Sequence, residues 1–205
     1  MFQRPSPQLV LVTLGKAHPE GAAPRTLKIR MGEAFPPTHP TSRLCLELLQ
    51  EALAAEAVRS LIDVGCGAGV LSLAAAALGV PLVVAVDLAP RAVRETWENA
   101  RDNALSGPLT VVQGGAECIK ATFDLVLANL PWDVHLNQAP EFSHLAAPAG
   151  ALILSGFRDH RESVLMDGYQ KLGWSLKMRG VKNFRHPELP AGLSFTWAAW
   201  TLTRS

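Results

Sequence analysis

From residue 60 onward, short apolar runs alternate with longer stretches whose apolar positions recur every three or four residues. SLIDV (60–64), PLVVAVD (81–87), LTVVQ (109–113), FDLVLAN (123–129) and GALILSG (150–156) are short, rich in branched residues and bounded by turn residues, which predicts buried strands. Between them, 69–79, 90–105, a stretch near 136–147 and 161–173 carry helical spacing, with 69–79 read as amphipathic and closed by Gly79. WSLKMRG (174–180) and SFTWAAWTLT (194–203) follow as two strands with no helix between them, so they are expected to pair antiparallel as a hairpin at one edge. The rhythm predicts an α/β fold: a doubly wound, seven-stranded, mostly parallel sheet with helices on both faces. Ahead of it, LVLVTL (9–14) and TLKIRM (26–31) read as strands, and the three prolines of EAFPPTHP (33–40) break structure before a helix from Thr41. The expected organisation is a strand-and-loop extension, 1–40, packing on a single domain, 41–205.

Composition narrows the class. The 205 residues are 48% hydrophobic and 18% charged, enough apolar surface to cover a sheet on both faces and too little charge for a disordered chain. A net charge of +1 argues against a protein that coats nucleic acid. Six Lys/Arg against two Asp/Glu in 1–45, and eight against four in 156–205, leave an acidic middle between basic ends. That is either solvated surface or a basic rim around a site for an acidic or RNA-bearing partner. Three cysteines without CxxC spacing suit a reduced, cytoplasmic compartment. Six scattered histidines without an i, i+4 pair or a Cys/His cluster predict no metal site. LVLVTL is too short for a signal peptide's apolar core, and no apolar run approaches the roughly 18 residues that span a membrane.

The candidate chemistry begins where the first strand of the alternation turns into its helix. Asp63 precedes Gly65, Gly67 and Gly69, glycines that let the backbone bend tightly and leave room for a ligand against the main chain. Val70 stands where the dinucleotide fingerprint needs its last glycine, which disfavours a nicotinamide oxidoreductase. Asp87 ends the second strand 22 residues after Gly65 and can accept both hydroxyls of a ribose; its alternative role is to cap the helix opened by Pro90. Neither a P-loop nor a Gly-x-Ser-x-Gly elbow occurs.

LIDVGCGAGVLSLAAAALG with VVAVD resembles the cofactor-binding half of class I methyltransferases, Rossmann-like enzymes that use S-adenosyl-L-methionine. The resemblance implies that Gly65, Gly67 and Gly69 pass under the methionine part, that Asp87 holds the ribose, and that Asp63 positions the amino-acid end. More closely, Thr38-His39-Pro40-Thr41-Ser42 followed by Leu44-Cys45-Leu46 is similar to a segment of the bacterial methyltransferases that modify the eleventh protein of the large ribosomal subunit, as are FDLVLANL and GALILSG. It implies cofactor contacts from Thr38 and Ser42, where Ser42 replaces that family's second threonine. Two departures stand out. Only about 30 residues precede the similar region, so the family's N-terminal substrate-gripping domain is expected to be absent. Gly114-Gly115 replaces a Gly-Asp pair, which leaves adenine to backbone groups or to Glu117.

The third departure is Asn129-Leu130-Pro131-Trp132, close to the Asn/Asp-Pro-Pro-aromatic motif of enzymes that methylate planar nitrogens. An amide oxygen at Asn129 can hold a nitrogen with its lone pair toward the methyl group and stabilise the charge that develops; proline fixes the turn, and Trp132 can stack on a flat group, cover a cation or serve as core. Asn129, Pro131 and Trp132 are therefore the candidate catalytic residues, and Asn129 is also a cofactor candidate. A base is needed only for a protonated acceptor; His39, Asp133 and His135 are candidates, each more readily explained as structural. The segment 179–194, with Arg179, Lys182, Phe184, Arg185 and His186, is expected to be a loop that either grips substrate or is merely solvated. The reading is an S-adenosylmethionine-dependent methyltransferase acting on a nitrogen of a protein, with a ribosomal protein as the acceptor the resemblance implies. The alternatives are a nucleobase, RNA or small-molecule N-methyltransferase, and a non-catalytic binding module.

Overall fold

The computed structural model describes residues 2–6, 9–13, 25–30, 36–184 and 195–204, with only the backbone at 2–6, 13 and 184. After a three-stranded N-terminal sheet come α1 (Pro40–Ala55), β4 (Ser60–Val64), α2 (Val70–Ala77), β5 (Leu82–Asp87), α3 (Pro90–Asp102) and β6 (Leu109–Gln113). The chain continues through β7 (Phe123–Asn129), α4 (Trp132–Asn137), α5 (Ala139–Leu145), β8 (Ala146–Arg158), α6 (Glu162–Lys171), β9 (Trp174–Phe184) and β10 (Phe195–Arg204). The main sheet has the order β6-β5-β4-β7-β8-β10-β9. β10 runs antiparallel to both β8 and β9, so the expected hairpin lies at the sheet edge with its second strand turned inward. The other pairs, β5 with β6, β4 with β5, β4 with β7 and β7 with β8, are parallel.

Both faces of the sheet are covered, which explains the near-continuous apolar strands. Leu61, Leu125, Leu127 and Ile153 face α1 and α2, while Ile62, Val126, Leu152 and Leu154 face the layer containing Phe142, Phe157, Tyr169 and Trp200. Three sequence expectations change. All eight residues of α2 are buried, so this helix is not amphipathic; Leu9, Leu11, Leu27 and Ile29 of the N-terminal sheet share its apolar cluster. That sheet has three strands, β1 (Phe2–Ser6), β2 (Leu9–Thr13) and β3 (Arg25–Ile29); Pro5 and the polar residues of β1 conceal it in the pattern. The expected helix near 136–147 is instead two short helices, because Pro140 cannot donate the backbone hydrogen bond that would continue α4.

Asn99 ties the N-terminal sheet to the main domain. It is fully buried on α3; its Oδ1 accepts from the Arg30 N–H at 2.8 Å, and its Nδ2 donates to the carbonyls of Arg30 at 3.1 Å and Ala68 at 2.9 Å. The Ala68 bond lands inside the glycine turn, so one amide links the end of β3 to the candidate site. Asn99→Ala strands buried donors and acceptors and is expected to lower stability by about 2–3 kcal/mol, read from urea unfolding curves.

Candidate active site

The glycine turn lies where the strand order reverses, between the carboxyl ends of β4, β5 and β7, the crevice in which open α/β sheets take ligands. Gly65, Gly67 and Gly69 have φ of 74°, 57° and 78°, backbone conformations that side chains rarely adopt. The Gly65 and Cys66 N–H groups both donate to the Val86 carbonyl, at 2.8 and 3.1 Å. A Cβ at Gly65 would overlap the Leu130 side chain, and one at Gly69 would lie 2.8 Å from the Thr96 methyl. Thr96 Oγ1 also donates to the Gly67 carbonyl at 2.8 Å, so α3 fixes the turn from below.

Asp87 braces the turn from the neighbouring strand. One carboxylate oxygen accepts from the Gly67 N–H and the other from the Ala89 N–H, both at 2.9 Å. Ala89, without a side-chain bond, occupies the cap position of α3, so the helix-cap alternative for Asp87 falls away. Asp63, 2% exposed, accepts from the Ser72 N–H at 3.0 Å and from the Ser72 hydroxyl. Burial pushes its pKa up to about 6, opposed by the Ser72 hydrogen bonds.

Three cavities follow one another along this edge. The first, about 490 Å³, lies between Asp87, Gly115 and Glu117 on one side and Leu130, Val134 and Phe142 on the other. The second, about 170 Å³, is lined by Ser42, Asp63, Gly65, Gly67 and Asn129, and shares Gly65 and Leu130 with the first. The third, about 290 Å³, holds Trp132, Arg158, His160, Arg161 and Trp197, and meets the second at Pro131. Asn129-Leu130-Pro131-Trp132 thus runs past all three. Asn129 Oδ1 is buried and has no hydrogen-bond partner among the described residues. Asn129 lines the same cavity as the Asp63 carboxylate, and a buried acceptor left without a partner beside that cavity is suited to a ligand carrying N–H donors.

A profile of the ribosomal protein L11 methyltransferase (PrmA) family matches residues 4–183. The chain belongs to that family. It is 34% identical over 174 residues to the ribosomal protein L11 methyltransferase of Syntrophotalea carbinolica, covering 84% of this chain and 57% of the relative. With the Pelotomaculum thermopropionicum relative it is 40% identical over 137 residues, covering 66% of this chain and 44% of that one. The chain therefore spans about half the length of the curated relatives it matches. Its fold is shared with a ribosomal protein L11 methylase from Lactobacillus delbrueckii subsp. bulgaricus, at TM-score 0.79 and 20% identity over 100% of this chain and 97% of that one. A putative RNA methyltransferase from Pyrococcus horikoshii has TM-score 0.68 and 17% identity over 86% and 92%.

In this family member eight of the ten site residues anticipated from sequence line the cavities. Ser42, Asp63, Gly65, Gly67, Asp87, Asn129, Pro131 and Trp132 line the cavities, and Gly69 opens α2 beneath them; Thr38, half-buried before α1, lines none of the three. Trp132 is the first residue of α4, and its ring face is covered by the Arg161 guanidinium at 4.3 Å. His135 is fully buried, donates Nε2–H to the Ser155 carbonyl at 2.7 Å, and has its pKa lowered to about 4 by burial, so it is a neutral structural residue. His39 accepts from Thr41 as the cap of α1, and Asp133 is exposed on α4. The expected loop at 179–194 is corrected: residues 179–184 belong to β9, where Arg179 pairs with Glu162 at 2.6 Å and Lys182 with Glu47 at 2.8 Å. The Phe184 side chain, Arg185 and His186 lie outside the described residues. Sequence reasoning missed Thr96, Asn99, Ser155 and Gly156; Thr96 and Asn99 left one trace, two polar residues three apart on the inward face of α3.

The Asp63 shift makes a testable statement about stability. Its folded pKa lies above the ordinary 3.8, so the folded state holds the proton more tightly between pH about 4 and about 6. The destabilisation from the buried charge is complete above that window and gone below it. Asp63→Asn, which keeps an acceptor for Ser72, is expected to raise the unfolding free energy of the ligand-free protein by about 2–3 kcal/mol at pH 7. Urea curves at falling pH should show the gain vanish near pH 4.

Proposed function

We propose that the protein is an S-adenosylmethionine-dependent methyltransferase acting on a nitrogen of a protein. The observation that carries this reading is the buried, unpartnered Oδ1 of Asn129, set between the Asp63 chamber and Pro131. The residues present fit the cofactor. Gly65 and Gly67 line the second cavity, Asp63 and Ser42 offer acceptors for an ammonium group, and Asp87 retains lone pairs for ribose hydroxyls after its two main-chain bonds. Glu117, whose carboxylate fills the space a side chain at Gly115 would take, lines the first cavity as the acceptor for an adenine amine.

When bound, the cofactor would supply an electrophilic methyl on a sulfonium, which the acceptor nitrogen would take as the sulfur leaves as a neutral thioether and a proton passes to water. The protein's part is placement, which accounts for most of the acceleration in such a displacement. Asn129 accepts an N–H from the acceptor nitrogen and stabilises the charge gathering there. Pro131 fixes that amide relative to the neighbouring cavity. A neutral, buried His135 takes no proton, so the acceptor arrives as a free amine or loses its proton to solvent. A flat nucleobase stacked on Trp132 is the second reading, and it requires Arg161 to leave that ring face. The protein-directed names of the relatives support the first.

Calorimetric titration with S-adenosylhomocysteine, with NAD alongside, tests the cofactor site. Micromolar affinity for the first ligand and none for NAD is expected; absence of binding at millimolar concentration overturns the proposal. Asp87→Ala, which removes two ribose bonds to a charged acceptor, is expected to weaken that affinity by about 30- to 100-fold. Asn129→Ala is expected to leave the same affinity within about threefold while lowering the turnover of radiolabelled methyl transfer by about 100-fold.

A further inference from the structure

The third cavity is lined by two arginines, Arg158 and Arg161, each set against aromatic rings. Arg161 lies over the Trp132 ring at 4.3 Å, and Arg158 lies over the Phe195 ring at 3.8 Å and near Trp197 at 5.8 Å. Neither arginine forms an ion pair among the described residues, whereas the basic residues of the adjacent β9 do: Lys177 with Glu56, Arg179 with Glu162 and Lys182 with Glu47. A guanidinium seated over an aromatic ring is restrained by it, and its N–H donors can still make a two-pronged bond to an oxyanion. His160 lies between the two arginines in sequence and also lines the cavity. Pro131 is the shared wall between this cavity and the one holding Asn129.

We propose that this cavity binds a carboxylate of an acidic protein acceptor, beside the nitrogen presented to Asn129. The position of that nitrogen rests on the methyltransferase reading above; the anion site does not. A carboxylate is favoured over an RNA phosphate for two reasons. Arg158 and Arg161 line one recess of about 290 Å³, the size of a small side-chain group rather than of a polynucleotide track. The neighbouring cations of β9, Lys177, Arg179 and Lys182, are each paired with a carboxylate, so that strand does not extend the cavity's positive charge as a run of unpaired cations for a polynucleotide backbone. Arg158 and Arg161 thereby set substrate choice: an amine next to an acidic side chain is preferred to one in a neutral context.

The test uses the full chain saturated with S-adenosylhomocysteine, whose affinity is measured first on every sample. Tryptophan fluorescence is followed during titration with a capped lysine peptide flanked by glutamates, the same peptide with glutamines, and an RNA oligonucleotide of equal charge. The glutamate peptide is expected to bind the wild-type protein about tenfold more tightly than the glutamine peptide. Arg158→Gln/Arg161→Gln should reduce that preference to about twofold or less with cofactor affinity unchanged. Arg158→Lys/Arg161→Lys should restore part of it, since charge survives but the paired geometry does not. Equal affinity for the two peptides, no saturable binding of the glutamate peptide, or a preference that survives in the Gln variant overturns the proposal. An RNA oligonucleotide that binds more tightly than the glutamate peptide and depends on both arginines overturns it in favour of a phosphate site. Loss of S-adenosylhomocysteine binding by the wild-type protein sinks the methyltransferase reading instead, and is seen before any peptide is added.

Discussion

The Ser155 carbonyl accepts two hydrogen bonds, from the Leu130 N–H at 2.9 Å and from His135 Nε2 at 2.7 Å. These two bonds hold the segment after β7 against the end of β8. Gly156, with φ 99°, makes the approach possible, because a Cβ there would collide with the Leu130 backbone. Everything the site does depends on this clamp. It sets where Leu130 divides the first two cavities, where Asn129 Oδ1 points, and where α4 starts with Trp132.

A second constraint acts from the opposite side. The glycine turn is held at main-chain atoms by Val86, Asp87, Thr96 and Asn99, all from β5 and α3. Buried polar side chains bound at both ends stiffen a loop that could not otherwise keep three left-handed residues in place. The cavities therefore lie between two braced walls: one carries carboxylates and glycines, the other an amide, a proline and an indole. The arginines beyond Pro131 come from different elements, the end of β8 and the turn after it, so the carboxylate-and-glycine wall and the positive edge are supplied by separate parts of the chain.

Much of this was legible from residue order. The alternation of apolar runs and helical periods predicted the sheet because each strand is buried on both faces, and the turn residues between them mark the carboxyl edge. Asp87 and Asn129 could be named because a strand ending in an acid or amide departs from the apolar pattern, Gly65, Gly67 and Gly69 because glycines cluster at a strand-to-helix turn, and Asp63 through the family resemblance. Thr96 and Asn99 were overlooked because a polar residue facing inward on a helix looks, in one dimension, like one facing solvent. The split at Pro140, the burial of α2 on every side and the length of β9 were hidden for a related reason: local pattern does not say what packs against an element.

Sequence alone determined the class of fold, the position of the glycine turn and the chemical character of the segment after β7, since these follow from periodicity, from glycine's freedom at positive φ and from residue type. Tertiary structure decided the rest. It brought Ser42 to Asp63 and Asn129, removed Thr38 from the cavity lining, turned His135 into a buried neutral prop, and placed Arg161 on the face of Trp132. These are contacts between residues 20 to more than 80 positions apart or on different elements, and their geometry comes from packing and hydrogen bonding across the sheet rather than from any local preference of the chain.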